Sequence, residues 1–350
     1  MRYILYILFC SFISCTVNIR DTYPHYRDFP KEITLIADVV SLDTVLFRYP
    51  FRVVVTDSVA VVLDLHNTDH YLHAFTYPQW QHIVSFGKRG NGPEELLSVE
   101  TFQFDSPDSL WVLDANKMQI TRWGVNLLNK SAERLEEINL DKQLIRTLDF
   151  HKTADGFIVP DYSGEYRYHL LSRQGNIIQS AGIIPTERKQ GQSPALAQAW
   201  RSFMDYNSHS NTMVLATQLG EVLEIIALDN DTNRILYGPN GEPVFQVSEG
   251  EGIPVGIMGF SDIQITDKYI YTVFHGRTFR EIGKNMQDGK KNEDGGRFIY
   301  VFDLEGKPVV KYILDRAIYG IYVNEESNTI IATDVNSDEP LVQLLLPVDN

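Results

Sequence analysis

Ala60-Val61-Val62-Leu63-Asp64-Leu65 is followed by His66-Asn67-Thr68-Asp69 and, one residue later, by Tyr71-Leu72-His73-Ala74-Phe75-Thr76-Tyr77. An apolar run rich in β-branched residues ends on an aspartate. A polar break follows, then a second apolar and aromatic run. Runs of this length and composition are strand chemistry, and a short polar break joins antiparallel neighbours. Further runs at Arg52–Thr56, His82–Phe86, Leu110–Leu113 and Gln119–Trp123 have the same character. Turn residues part others, at Arg173-Gln174-Gly175-Asn176, Asp229-Asn230-Asp231, Pro239-Asn240-Gly241 and Leu304-Glu305-Gly306-Lys307. No long helical periodicity alternates with them, which argues against a parallel α/β sheet.

The opening pattern repeats. It returns at Trp111-Val112-Leu113-Asp114 and Phe157-Ile158-Val159-Pro160-Asp161, then in weaker form at Met213–Thr217 and Ile270–Phe274, and again at Thr329–Asp334. From Asp64 onward the last residues of the six copies are spaced by 50, 47, 56, 57 and 60. Six copies at this period predict an all-β fold, a six-bladed β-propeller of four-stranded antiparallel blades. No blade can bury both faces without a neighbour, and closure of the ring calls for an N-terminal strand in the last blade. Ile33–Val40 or Thr44–Tyr49 beside Val342–Leu346 is the expected closure. Pro194–Tyr206 carries apolar residues at helical spacing, with Ser193 as N-cap and Pro194 at the first position, and predicts one short inserted helix. His275–Arg297 reads as a long polar loop within the fifth blade.

The chain of 350 residues is 43% hydrophobic and 22% charged, an ordinary globular composition. Its net charge of −15 argues against nucleic acid as a partner, since phosphate binding leaves a basic footprint. Arg2 precedes an apolar run, Tyr3–Ile13, too short to span a bilayer but suited to an export signal. The run ends in Phe12-Ile13-Ser14-Cys15, which resembles the lipobox of bacterial lipoproteins, with Phe12 in place of the usual leucine. That resemblance implies a signal peptide over 1–14, lipid attachment at Cys15, a tether over 15–30 and the propeller over 31–347. Cys10 and Cys15 are the two cysteines, so cleavage would leave no pair for a disulfide. The expected location is the envelope, anchored in the membrane by lipid, on the periplasmic side or at the cell surface.

Ser85-Phe86-Gly87-Lys88-Arg89-Gly90-Asn91-Gly92-Pro93-Glu94-Glu95-Leu96 resembles the glycine-rich turn of six-bladed propeller lipoproteins of Bacteroides-type bacteria, the TolB-like or NHL-like propellers. The resemblance covers about residues 30–346. It implies a fold and a location, and no particular activity.

The sequence offers few chemical constellations. Gly87, Gly90, Gly92 and Pro93 lack the spacing of a nucleotide loop and read as a structural turn between blades. His66, His70 and His73 straddle a turn, diverge, and read as surface histidines rather than zinc ligands. Asp229-Asn230-Asp231 lacks the glycine and the final glutamate of a calcium loop. Asp64, Asp114, Asp161 and Asp334 occupy equivalent positions and read as acceptors of backbone hydrogen bonds where strands end. No catalytic residue, metal site or cofactor is assigned. His275, Arg277, Arg280 and Lys284, with Lys290 and Lys291, gather positive charge on one loop of an acidic chain and are the candidate ligand-binding residues. The resulting expectation is a binding scaffold for an envelope protein, peptide or glycan. The alternative is an envelope hydrolase or lyase at the mouth of the central channel.

Overall fold

The computed structural model describes residues 25–347 except 43–44, 146, 189–192 and 231. The export segment 1–14, Cys15 and residues 15–24 of the tether lie outside the described residues. Two short strands come first, β1 (Glu32–Leu35) and β2 (Asp38–Val39). Blade one is β3 (Pro50–Val55), β4 (Val59–Asp64), β5 (His70–Thr76) and β6 (His82–Lys88). Blade two is β7 (Val99–Ser106), β8 (Ser109–Asp114), β9 (Gln119–Asn126) and β10 (Ser131–Asn139). Blade three is β11 (His151–Lys152), β12 (Gly156–Pro160), β13 (Tyr168–Ser172) and β14 (Ile177–Ala181). Helix α1 (Pro194–Ala199) leads to blade four, β15 (Ser202–Asn207), β16 (Thr212–Thr217), β17 (Val222–Ala227) and β18 (Thr232–Tyr237). A hairpin, β19 (Phe245–Ser248) and β20 (Glu251–Pro254), leads to blade five. That blade holds β21 (Phe260–Ile265), β22 (Tyr269–Phe274), helix α2 (Phe279–Gln287), β23 (Gly296–Asp303) and β24 (Pro308–Ile318). Blade six is β25 (Ile321–Asn324), β26 (Thr329–Thr333) and β27 (Leu341–Leu345).

The first strand of each blade faces the axis: β11, β15, β21, β25, β3 and β7 touch in succession, and a hydrogen bond from Lys152 to Gln103 links β11 to β7. The second strands, packed on both faces, are buried at every position in β4, β8, β12 and β26. This double burial is why they read as continuous apolar runs rather than alternating ones. Buried apolar clusters fill all six junctions between adjacent blades, from Leu72 and Val112 between blades one and two to Val62 and Ile331 between blades six and one. A further cluster seats α1 and the fully buried Trp200 against blade four.

The N-terminal segment closes the ring. Val39 pairs with Val342 and Asp38 with Gln343, so β2 supplies the fourth strand of blade six. The expected partner of β27 was right for the first of the two candidate segments. β1 does something the sequence did not suggest and adds a fifth strand, parallel, to β24 of blade five. Upstream, Tyr26 is buried against Phe302, and its hydroxyl donates to Glu221 at 2.9 Å. The segment 25–30, expected as tether, therefore lies on the propeller across blades four and five.

Two expectations for helices change. The helix expected over Pro194–Tyr206 ends at Ala199, and Ser202–Asn207 is the inner strand of blade four. The ladder from Ser202↔Thr217 to Asn207↔Thr212 overrides the helical spacing, which arose from a helix and a strand meeting at Trp200 and Arg201. The polar loop His275–Arg297 contains a second helix, α2, with a capping box: Glu281 N donates to Thr278 Oγ1 and Thr278 N to Glu281 Oε2.

Candidate functional site

Inner strands leave one edge of backbone groups unpaired, and buried unpaired groups are costly. Side chains of the preceding blade cover them. Lys152 N donates to Gln103 Oε1, Met204 N to Asp149 Oδ2 and Ile265 N to Asp205 Oδ2 at 3.0, 3.3 and 2.7 Å. Ile321 N donates to Asp262 Oδ2 and Val323 N to Gln264 Oε1 at 2.8 and 2.7 Å. These braces carry blades two to six around the channel. At the centre Arg52 donates to Thr101 Oγ1 at 2.7 Å and to Asp149 at 3.3 Å, with Asp262 at 3.7 Å. Burial pulls the Arg52 pKa down, but Asp149 and Asp262 outweigh it, and the guanidinium stays charged. Burial pushes the Asp262 carboxyl up to about 6 against the pull of Arg52, and raises Asp205 also.

Arg52 divides the channel in two. On one side, where inner strands end, a recess of about 150 Å³ is lined by His151, Asp205, Gln264 and Tyr322 among others. On the other side, where inner strands begin, a depression of about 180 Å³ is lined by Phe51, Glu100, Tyr162, Arg201, Phe203 and Tyr319 among others. The second end also receives the long connections. α1, the β19–β20 hairpin and the α2 segment all lie between strands on that side. A hydroxyl chain ties the mouth to the α2 segment. Tyr319 lies beside Tyr49, whose hydroxyl donates to Asp294 at 2.5 Å. Asp294 N donates in turn to Asn336 Oδ1 at 2.8 Å, and Phe279 N to Gly256 O at 3.1 Å. The segment is thereby built onto the propeller rather than hung from it.

The four candidate loop residues separate. His275 is buried at the end of β22, and burial, then Arg277, lowers its pKa to about 4. Arg277 bonds to His275 Nε2 at 3.0 Å and to the Glu293 carbonyl, so both residues hold the base of the segment. Arg280 and Lys284 stand exposed on α2, as does Met286.

The glycine-rich turn lies between β6 and β7. Gly87 and Gly90 have φ of +66° and +152°, and a Cβ on Gly90 would meet Glu95 Oε2 at 2.0 Å. Glu95 fills the space a bound anion would need. It accepts from Gly92 N at 3.0 Å and pairs with Lys88 at 2.7 Å. Lys117 Nζ bonds the carbonyls of Gly92 and Glu95, fixing the loop that contains Pro93.

The aspartates at strand ends accept backbone hydrogen bonds. Asp64 takes Arg48 N and Tyr49 N at 2.8 Å each, and Asp114 takes Leu97 N and Ser98 N at 2.7 and 3.1 Å. Among the described residues no group of acidic, histidine or cysteine side chains has the arrangement of a metal site. His73 is a correction to the surface reading. It is 3% exposed and bonds Ser85 Oγ at 2.8 Å, because β5 is packed on both faces. His169 and Ser180 repeat this pair in blade three at 2.8 Å, with Asp161 at 3.2 Å from the other ring nitrogen. The Asp–His–Ser order resembles a hydrolytic triad, but its partial repeat in blade one marks it as a tie between strands.

The family model for TolB-like six-bladed propellers matches residues 28–326. No curated protein matches the chain. Solved structures do. A protein of Bacteroides fragilis described as exported superposes with a TM-score of 0.59 at 10% identity, over 94% of this chain and 100% of that one. A member of the DUF4221 family from Bacteroides vulgatus gives 0.58 at 10% identity, over 91% and 97%. At this identity the likeness shows the fold. The family match spans most of the chain, from the segment that docks on blade four into blade six, and the chain belongs to the TolB-like six-bladed propeller family.

Proposed function

We propose that the protein is an exported lipoprotein, anchored through Cys15, whose propeller binds an envelope protein, peptide or glycan at the end where its inner strands begin. The observation that carries this reading is the α2 segment. It is ordered by its own capping box and by the Tyr49–Asp294 bond, and it holds Arg280 and Lys284 in solvent on an acidic molecule. A rigid element that presents unspent positive charge beside a channel mouth suits a negatively charged partner. The lipobox at Cys15 and a structural neighbour described as exported support the location. An envelope hydrolase or lyase would need a free base or nucleophile at the channel. Asp149, Asp205 and Asp262 already accept backbone hydrogen bonds there, which favours binding.

Affinity capture from native membranes tests the reading, with the intact chain, Cys15→Ala and Arg280→Glu/Lys284→Glu compared. The expected result is a partner held by the intact chain and lost in the double variant, and release of Cys15→Ala from membranes after a high-salt wash. Retention of the same partner by the folded double variant would overturn the site. Persistence of Cys15→Ala on washed membranes would overturn the anchor.

A further inference from the structure

We propose that the depression at the channel mouth binds a small monocarboxylate, held by Arg201 against Tyr162. Arg201 precedes the inner strand of blade four, and its guanidinium lies 5.6 Å from the centre of the Tyr162 ring. Its Nε is enclosed, yet among the described residues it has no hydrogen-bond partner and no carboxylate pairs with the side chain. The side chain is half-buried, and an enclosed Nε–H left without an acceptor costs free energy that a bound acceptor recovers. Arg52, on the floor of the same depression, is spent on Asp149 and Thr101, so among the described lining residues Arg201 is the cation available to a ligand.

Charge and shape set the ligand class. Asp149, which also faces the depression, is matched by Arg52, and Glu100 accepts from Ser98 Oγ at 2.8 Å. A guanidinium set among aromatic walls suits an anion with an apolar body, which inorganic phosphate lacks. A planar carboxylate also matches the guanidinium fork with two parallel hydrogen bonds. Phe51, Phe203 and Tyr319 supply apolar walls for the body of the ligand. A volume of about 180 Å³ is below the few hundred Å³ of drug-sized sites and suits an acid of a few carbons or a single C-terminal residue. The site is distinct from Arg280 and Lys284 on α2, so each reading can fail without the other.

The test is calorimetric titration of the full chain with valerate, phenylacetate, a tetrapeptide with a free C-terminus, the same peptide amidated, and inorganic phosphate. At least one carboxylate is expected to bind, with phosphate and the amide at least tenfold weaker. Arg201→Gln is expected to lose at least tenfold in affinity, Arg201→Lys to keep part of it, and Lys268→Glu, exposed at the opposite end, to leave it unchanged. Binding of valerate or phenylacetate supports a free acid as the source, and binding of the free-acid peptide alone supports a chain terminus. No carboxylate binding by the folded wild-type chain would overturn the proposal, as would equal affinity in folded Arg201→Gln. The wild-type arm decides even where a variant does not fold.

Discussion

Many buried polar side chains among the described residues are spent on backbone or on one another. Arg167 is the fullest case. Its Nε and Nη2 donate to Glu224 Oε1 at 2.9 and 2.7 Å, its Nη2 to Ser202 Oγ at 2.7 Å and its Nη1 to the Trp200 carbonyl at 3.2 Å. Both charged side chains are buried, so removing one strands the other. Arg167→Met is expected to cost about 3–5 kcal/mol, and Arg167→Met/Glu224→Leu to recover most of it, read by urea unfolding. Protonation gives a second expectation. Burial lowers His73 and His275 to about 4, so the native state excludes protons that the unfolded chain binds below about 6.5. Their contribution is whole above 6.5 and is lost as pH falls toward 4. Asp262, raised to about 6, acts in the opposite sense: its contribution is present at low pH and lost as pH rises through 6. Two histidines outweigh one aspartate, so stability is expected to fall between pH 6.5 and 4. In His73→Gln that slope should shrink by roughly 2–3 kcal/mol over the interval, measured by denaturant midpoints. A slope unchanged from wild type would contradict the burial of His73. The residue signals legible in the sequence were those with local causes, such as Asp64 and Asp114 at strand ends. The braces from Gln103 and Asp262 were not, because each partner lies 49 or 59 residues away.

Elements with a buried face were legible, and those without one were not. β4 and β26 announce themselves as apolar runs because the neighbouring blades cover both of their faces. α2 buries no residue: Phe279, Ile282 and Met286 recur at helical spacing, but no core covers them. Its other local signal is Thr278-Phe279-Arg280-Glu281, a capping box in a polar stretch. α2 is therefore held by its cap and by the bonds at its base, not by a core. Thr278→Ala is expected to cost about 1 kcal/mol locally. Amide exchange over 279–287 should quicken severalfold while the global unfolding midpoint stays in place. A shift of the global midpoint instead would mean that α2 is part of the cooperative core. α1 shows the converse. Helical spacing ran past Trp200 into Phe203 and Tyr206, yet the free edge of β16 claimed those residues for a strand.

At the scale of the whole molecule the repeat period gave the blade count, and the need to close the ring gave an N-terminal strand in blade six. The path of that segment was not legible. Tyr26 on blade four, β1 on blade five and β2 on blade six bind three blades with one short strap. Propellers have two ends, and the sequence did not say which one works. The structure separates them. Short turns such as Asp267-Lys268 fill one end, while α1, the β19–β20 hairpin and α2 gather at the other beside Arg201 and Tyr319. Photo-crosslinking in native membranes tests the central claim most directly, with the reactive group placed at Lys284 on α2 or at Lys268 on the opposite end, both exposed. The account predicts a specific product from position 284 and none from 268. A product from 268, with none from 284, would contradict it.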